Sequence, residues 1–265
     1  MAHRVHRGGH AGLWPWREAA KSPAMSRSNY VVMTYARCGA TWLAQLLGST
    51  GCLGRPEDWY NGKGYRKRGI ADYPLDREGQ LTKALSEGRS ANDVAGLKMS
   101  ATRMDELAGF DWSGPLAPPH FIHLNRLDRV ARAISDVRAE QTGQWRSTSA
   151  RDGEPSYDAG AIHAALRKHA RDEARIRLYF AVNGIVPFEL SYEALHADPE
   201  DAVARIADFL GVALIAPPDH GKVTLDVQRD ALNEEWRERF MAEAGALNEL
   251  PRIDQARRPG GIFRR

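Results

Sequence analysis

Two apolar runs, Tyr30-Val31-Val32-Met33 and Leu43-Ala44-Gln45-Leu46-Leu47, are separated only by Thr34-Tyr35-Ala36-Arg37-Cys38-Gly39-Ala40-Thr41-Trp42. The first reads as a short buried parallel strand and the second as the start of a helix. A chain that passes from a buried strand through so tight a turn into a helix is committed to α/β layers. The turn also carries chemistry. A helix begun there presents unpaired backbone N–H groups and the positive end of its dipole above the strand, which makes an anion site. Gly39 lets backbone approach an oxyanion closely, Arg37 adds a fixed charge with several donors, and Thr41 offers a hydroxyl from the first helical turn. A phosphate ester is the anion such a turn suits.

What the turn lacks narrows the chemistry. A nucleoside triphosphate loop needs G-x-x-x-x-G-K-[ST], whereas here Arg37 precedes the only loop glycine and no Gly-Lys-Ser/Thr follows. A metal-dependent NTPase is therefore disfavoured, and no cluster of metal ligands is visible, so no metal is expected. The 265 residues can bury a substantial core, and a net charge of +3 suits anionic ligands without arguing for nucleic acid. Two cysteines, Cys38 and Cys52, make no disulfide framework, which favours a reducing cytoplasm. No apolar run reaches the roughly 18 residues of a membrane span.

Alternating strand and helix patterns continue along the chain. Strands are expected at Asp93–Met99, His120–Leu124 and Val186–Leu190. Helices are expected from Thr41 to about Thr50, near Arg103–Ala108, from about Asp128 to Gln141, over Ala159–Val182, and over Pro199–Leu210 with Gly211 as the stop. Gly51–Gly64 reads as loop. The expected fold is one α/β domain, a central parallel sheet with helices on both faces. Residues 1–24, without periodicity, are read as a disordered extension, 25–250 as the domain and 251–265 as a basic tail.

A second constellation lies at Arg126, at the carboxyl end of a predicted strand, and Ser135, on the helix that follows, where open α/β sheets bind ligands. The first turn resembles the 5′-phosphosulfate loop of sulfotransferases, T-Y-P-K-S-G-T-T-W in cytosolic enzymes and P-R-S-G-S-T in a bacterial family typified by trehalose sulfotransferase. Arg126 and Ser135 are similar to the pair that holds the 3′-phosphate of PAPS (3′-phosphoadenosine-5′-phosphosulfate). Arg138-Ala139-Glu140-Gln141-Thr142-Gly143-Gln144-Trp145-Arg146 resembles the bacterial family's R-A-x-Q-T-x-x-W-R. Tyr157–Ile162, Tyr179–Pro187 and Gln228 with Glu235–Phe240 resemble further segments in the same order, so the resemblance spans Tyr30 to about Phe240.

The resemblance implies a P-loop-like sulfotransferase fold and a PAPS-dependent, metal-free transfer. Arg37, Cys38, Gly39, Ala40, Thr41 and Trp42 would hold the 5′ end of PAPS, and Arg126 and Ser135 its 3′-phosphate. Ala36, Cys38 and Ala40 depart from the family's proline, serine and hydroxyl residues, which leaves more of the contact to backbone amides. Cys38, at a helix N-terminus beside Arg37, is expected to carry some thiolate character. The family's base is a glutamate in G-x-x-G-x-P-x-E-[FYW]-[FY]. Gly51–Tyr60 puts Asp58 at that position and Glu57 beside it, and Arg37 would stabilise charge on the leaving phosphate. Lys98 ends the second strand and either faces the acceptor or is an exposed strand end.

His120 and His123 are read as packed histidines. Lys63, Arg66, Lys67 and Arg68 are read as a solvated face, and Trp59, Tyr60 and Tyr65 either stack on sugar or pack in the core. The partner is a small-molecule acceptor, a sugar or glycoconjugate, with no nucleic acid, and a homodimer is left open. The alternatives are a non-catalytic binder of phosphoadenosine nucleotides and a nucleotide-dependent kinase.

Overall fold

In the computed structural model, which describes residues 28–104, 119–225 and 230–243, the first apolar run lies in strand β1, Ser28–Thr34. It pairs in parallel with β2, Val94–Ser100, on one side and with β3, Pro119–Asn125, on the other. A short β4, Phe188–Ser191, completes a four-stranded parallel sheet in the order β2-β1-β3-β4. Every residue of β1 is buried. Successive strand side chains point to opposite faces, so both faces of the sheet centre are covered.

Among the described residues the α-helices are α1 (Ala40–Ser49), α2 (Gly62–Lys67), α3 (Arg77–Glu87), α4 (Arg129–Thr142), α5 (Ala159–Val182), α6 (Tyr192–Ala197), α7 (Pro199–Leu210) and α8 (Ala231–Glu243). Leu43 and Leu47 of α1, Phe180 of α5 and Ile206 of α7 join the β1 and β3 side chains in the main core. Ile134 of α4, Ile162 of α5 and Trp236 of α8 form a second cluster beside it. From β1 the chain goes to β2 on one side and later to β3 on the other, which leaves a crevice at the strands' carboxyl ends.

The expected elements recur with small shifts: α5 and α7 keep their sequence bounds, and the strand expected at Val186 begins at Phe188. The expected loop Gly51–Gly64 gives way to helix at Gly62. Asn61 caps that helix by accepting from the Gly64 N–H, so its start is set by a cap and not by apolar periodicity. The segment at Arg103 is a 3₁₀ turn, Ala101–Arg103, and the rest of the expected helix to Ala108 lies outside the described residues. The extension 1–24, Gln228 and the tail 251–265 also lie outside them.

Gly96 of β2 sits opposite Tyr30 of β1. A Cβ there would stand 2.5 Å from Tyr30 Cζ and 2.8 Å from Pro56 Cβ. Tyr30 has no room to yield, since it is buried and its hydroxyl donates to the Leu53 carbonyl at 2.8 Å. Gly96→Ala is therefore expected to lower unfolding free energy by about 1–3 kcal/mol, read as a loss of denaturant midpoint at unchanged m-value.

Candidate active site

The turn after β1 has positive φ at Arg37 (63°) and Gly39 (78°). Glycine accepts that region freely, but an arginine held there is a strained backbone that the surroundings must impose. Two arginines impose it. Arg132, 1% exposed, donates from Nε to the Ala36 carbonyl at 2.9 Å, and Arg126 donates from Nη1 to the Arg37 carbonyl at 3.2 Å. In a trans peptide the N–H points opposite the carbonyl. With these carbonyls taken by arginine, the Arg37 and Cys38 N–H groups are turned the other way.

Helix α1 then starts at Gly39 with no side-chain cap and no acidic residue in its first turn. By contrast Asp76, Asp128, Asp158, Ser191 and Asp198 cap α3, α4, α5, α6 and α7 with their own side chains. The first-turn amides of α1, the positive end of its dipole, are thus left to a ligand.

The guanidinium of Arg37 reaches sideways from this turn. Its Nε donates to Ser135 Oγ at 2.8 Å and its Nη1 to the Trp145 carbonyl at 2.6 Å. Burial pulls its pKa below the ordinary arginine value while the Asp136 carboxylate pulls it up. Arg126 lies 4.8 Å over the Tyr192 ring, and Glu193 fixes the Arg126 turn by accepting from the Leu127 and Asp128 N–H groups at 3.0 and 3.1 Å. Tyr192 also fills the space beside Gly39, where an added Cβ would stand 2.7 Å from its ring. Only glycine fits there.

On the other flank of the turn, Lys98 of β2 is 6% exposed. Its ammonium lies 3.1 Å from Asp58 Oδ2 and donates to Thr41 Oγ1 at 3.1 Å. It is a buried cation between the two expected site groups and not an exposed strand end. Asp58, Lys98, Thr41, Arg37, Arg126 and Ser135 all line one cleft of about 610 Å³ at the carboxyl ends of β1, β2 and β3. Glu57 is not among its lining residues. Its backbone bridges to β2, with the Lys98 N–H donating to its carbonyl at 3.0 Å.

His123 is fully buried, in line with a packed histidine. Its Nδ1 is 2.8 Å from Glu189 Oε2 and its Nε2 2.7 Å from Tyr35 Oη. Burial lowers its pKa against the pull of Glu189, so the neutral ring donates from Nδ1 to the carboxylate and accepts the tyrosine proton at Nε2. His120 packs edge-on against Phe209. Trp59 and Tyr60 are core residues at 2% and 6% exposure, and Tyr65 stacks on Tyr73 at 4.2 Å. Lys63, Arg66, Lys67 and Arg68 are exposed on and beside α2, but Arg66 Nε donates to the Tyr73 carbonyl at 2.7 Å, and Arg68 lies over the Tyr65 ring and lines the cleft.

Cys38 requires a correction. Its side chain is 1% exposed and burial pushes its pKa up to about 11, above the ordinary thiol value, although Arg132 and Arg126 pull it down. Desolvation outweighs the helix end, and the thiol is a neutral core group. Trp145 is marked only as the tryptophan of the segment resembling R-A-x-Q-T-x-x-W-R, with no role given to it, and Tyr192 has no mark in the sequence beyond its position after a strand. Among the described residues no helix is long and apolar enough to cross a membrane, and no group of three or more His, Cys, Asp or Glu is placed to hold a metal.

A parallel sheet with an uncapped helix N-terminus, two arginines and a serine at its switch point, and no P-loop lysine, defines an enzyme of the sulfotransferase class. The chain belongs to the Stf0 sulphotransferase family, whose pattern matches residues 29–243. It is similar to trehalose 2-sulfotransferase of Mycobacterium tuberculosis (strain ATCC 35801 / TMC 107 / Erdman), with 28% identity over 260 residues, covering 82% of this chain and 96% of that one. The trehalose 2-sulfotransferase of Mycolicibacterium smegmatis (strain ATCC 700084 / mc(2)155) is 26% identical over 256 residues, covering 81% and 95%. Among solved structures, a sulfotransferase from Alicyclobacillus acidocaldarius aligns with a TM-score of 0.45 and 16% identity over 88% of this chain and 100% of that one, a likeness of outline only.

The burial of Cys38 and Cys52 makes a measurable statement. Thiol reagent added to the native protein at neutral pH should label neither cysteine at the rate of a free thiol, and both should react at once in denaturant. Fast native labelling at Cys38 would contradict the burial described.

Proposed function

We propose that the protein transfers a sulfuryl group from PAPS to a hydroxyl of a carbohydrate, and that trehalose or a similar small glycoside is the acceptor. One observation carries this function: the uncapped start of α1, the Arg126 and Ser135 pair, and the carboxylate of Asp58 share one cleft. The acceptor class comes from the two relatives named as trehalose 2-sulfotransferases. The free, buried cysteines suit a reducing cytoplasm.

The residues present fit such a donor. Arg126 keeps its Nε buried without a protein partner, a donor available to an anionic oxygen. When bound, PAPS supplies a sulfuryl group already activated by its link to a phosphate. The backbone amides from Cys38 to Trp42 and the Thr41 hydroxyl hold the 5′ end, Arg126 and Ser135 hold the 3′-phosphate, and Asp58 takes the acceptor proton. Asp58 is preferred over Glu57 because it lines the cleft, with its Oδ2 3.1 Å from the ammonium of Lys98, another lining residue.

Incubation with PAPS and a panel of sugars tests the function, and a sulfated sugar is the expected product. Transfer to none of the panel, with tight binding of adenosine 3′,5′-bisphosphate, would favour a non-catalytic nucleotide binder. Arg126→Ala should weaken adenosine 3′,5′-bisphosphate by roughly 10- to 150-fold and leave adenosine 5′-monophosphate little changed. Asp58→Asn should lower kcat by roughly 10²- to 10⁴-fold with nucleotide affinity intact, and Asp58→Glu should retain measurable turnover. A normal kcat in Asp58→Asn together with a collapse in Glu57→Gln would move the base to Glu57.

A further inference from the structure

We propose that the acceptor end of the cleft takes a sugar that carries an anionic substituent, a phosphate or a carboxylate, besides the hydroxyl it offers, and that Arg68 recognises that substituent. This subsite rests on the sulfotransferase function proposed above, and it narrows the small glycoside to one that is negatively charged. It also gives a role to one of the four cations that the sequence reads as a solvated face.

Arg68 follows the last residue of α2 and is solvent-exposed, yet its position is fixed. Its backbone N–H donates to the Gly64 and Tyr65 carbonyls at 3.2 and 3.0 Å. Its guanidinium lies 4.4 Å over the Tyr65 ring, and that ring stacks at 4.2 Å on Tyr73. Tyr73 is buried and donates its hydroxyl to the Trp59 carbonyl at 2.7 Å. The charge therefore rests on a pair of rings anchored in the core, which limits its freedom before any ligand arrives. Arg103, just beyond β2, ties the same helix to the sheet. Its Nη1 donates to the Tyr60 carbonyl at 2.8 Å and its Nη2 to Asn61 Oδ1, the oxygen that caps α2. Among the described residues the Arg68 guanidinium has no hydrogen bond and no ion pair with a protein group.

Arg68 and Arg103 line the cleft together with Asp58, Ser100 and Thr102. The acceptor lies at this end, because Asp58 takes its proton. Burial first, then Glu57, Tyr73 and Asp58, raise the Tyr65 pKa, and Arg68 lowers it, so the two carboxylates and the guanidinium surround one ring. Against Asp58 and Glu57 stand Lys98, Arg103 and Arg68, which leaves one positive charge in excess, and the Asp58 carboxylate is already taken by Lys98 at 3.1 Å. Asp172 and Glu234, which also line the cleft, belong to α5 and α8, the helices packed on α4 with its Ser135. A neutral sugar leaves the excess charge uncompensated. An anionic one cancels it, and the paired N–H groups of a guanidinium match two oxygens of a phosphate or a carboxylate. The Ser100 and Thr102 hydroxyls, 2.8 Å apart, suit the hydroxyls of the sugar itself.

The test compares trehalose with trehalose 6-phosphate and glucose with glucuronic acid, on the full chain. Affinities are measured by calorimetry with adenosine 3′,5′-bisphosphate at saturation, so that an anionic sugar cannot occupy the phosphate sites of the donor. Turnover of PAPS with the same four sugars is measured separately. In at least one pair the anionic sugar should bind roughly 10-fold more tightly than its neutral parent, the lower end for charge-assisted bonds because Arg68 is exposed. The pair that shows the preference identifies the substituent as phosphate or carboxylate. In Arg68→Gln the ratio should fall toward one, with the loss appearing in KM, and Arg68→Lys should keep part of it. Lys67→Gln removes an exposed cation of α2 that does not line the cleft, and should keep the wild-type ratio. No preference in either pair, an unchanged ratio in Arg68→Gln, or an equal fall in Lys67→Gln overturns the subsite, and transfer to a neutral sugar then leaves the sulfotransferase function standing. Wild-type protein that transfers to none of the sugars overturns the function itself and the subsite with it.

Discussion

Arg132 carries a charge into the protein interior at 1% exposure, and the shape of the anion turn depends on what it does there. Its Nε holds the Ala36 carbonyl, its guanidinium lies 4.6 Å over the Tyr35 ring, and its two terminal nitrogens have no hydrogen-bond partner. Burial lowers its pKa, the sign of a charge that has lost water. A buried arginine so incompletely partnered is expensive to keep. The stacking and the one carbonyl offset part of that cost, and the return is a turn whose carbonyls face the interior while its amides face the cleft.

The rest of the site is arranged around that turn by the sheet. Because β1 is flanked by β2 and β3, groups from three strand ends meet above it: Lys98 from β2, the turn from β1, and Arg126 from β3. Glu193 and Tyr192, just beyond β4, fix the Arg126 turn and close the space next to Gly39. The parallel arrangement puts every strand's carboxyl end on the same edge, so one cleft receives all of these groups. Backbone contacts to a phosphate from the α1 amides tolerate changes of loop side chain. Ala36, Cys38 and Ala40 are therefore compatible with an anion site that other sequences build with proline and hydroxyl residues.

Charge in the cleft is divided between its flanks. Arg37, Arg126 and Ser135 make one cationic pole, and Lys98 with Asp58 makes a neutral pair at the other.

The sequence by itself determined the layered α/β architecture, the strand, turn and helix of the anion loop, and the order of the long helices. Those features follow from local periodicity and caps, as in α7 with Asp198 and Pro199 at its start and Gly211 at its end. It also marked Arg126, Ser135 and Asp58 by spacing and family pattern. It did not show α2 or α3, because Gly62-Lys63-Gly64 carries no apolar run and α3 is mostly polar and charged, and the starts of both are set by caps at Asn61 and Asp76. Only the tertiary structure decided that Cys38 is a neutral core group, that Asp58 and not Glu57 lines the cleft, and that Lys98 joins Asp58 to Thr41. The physical reason is common to all three. Burial and the direction of a side chain across β1, β2 and β3 depend on contacts 40 or more residues apart, which no local pattern records.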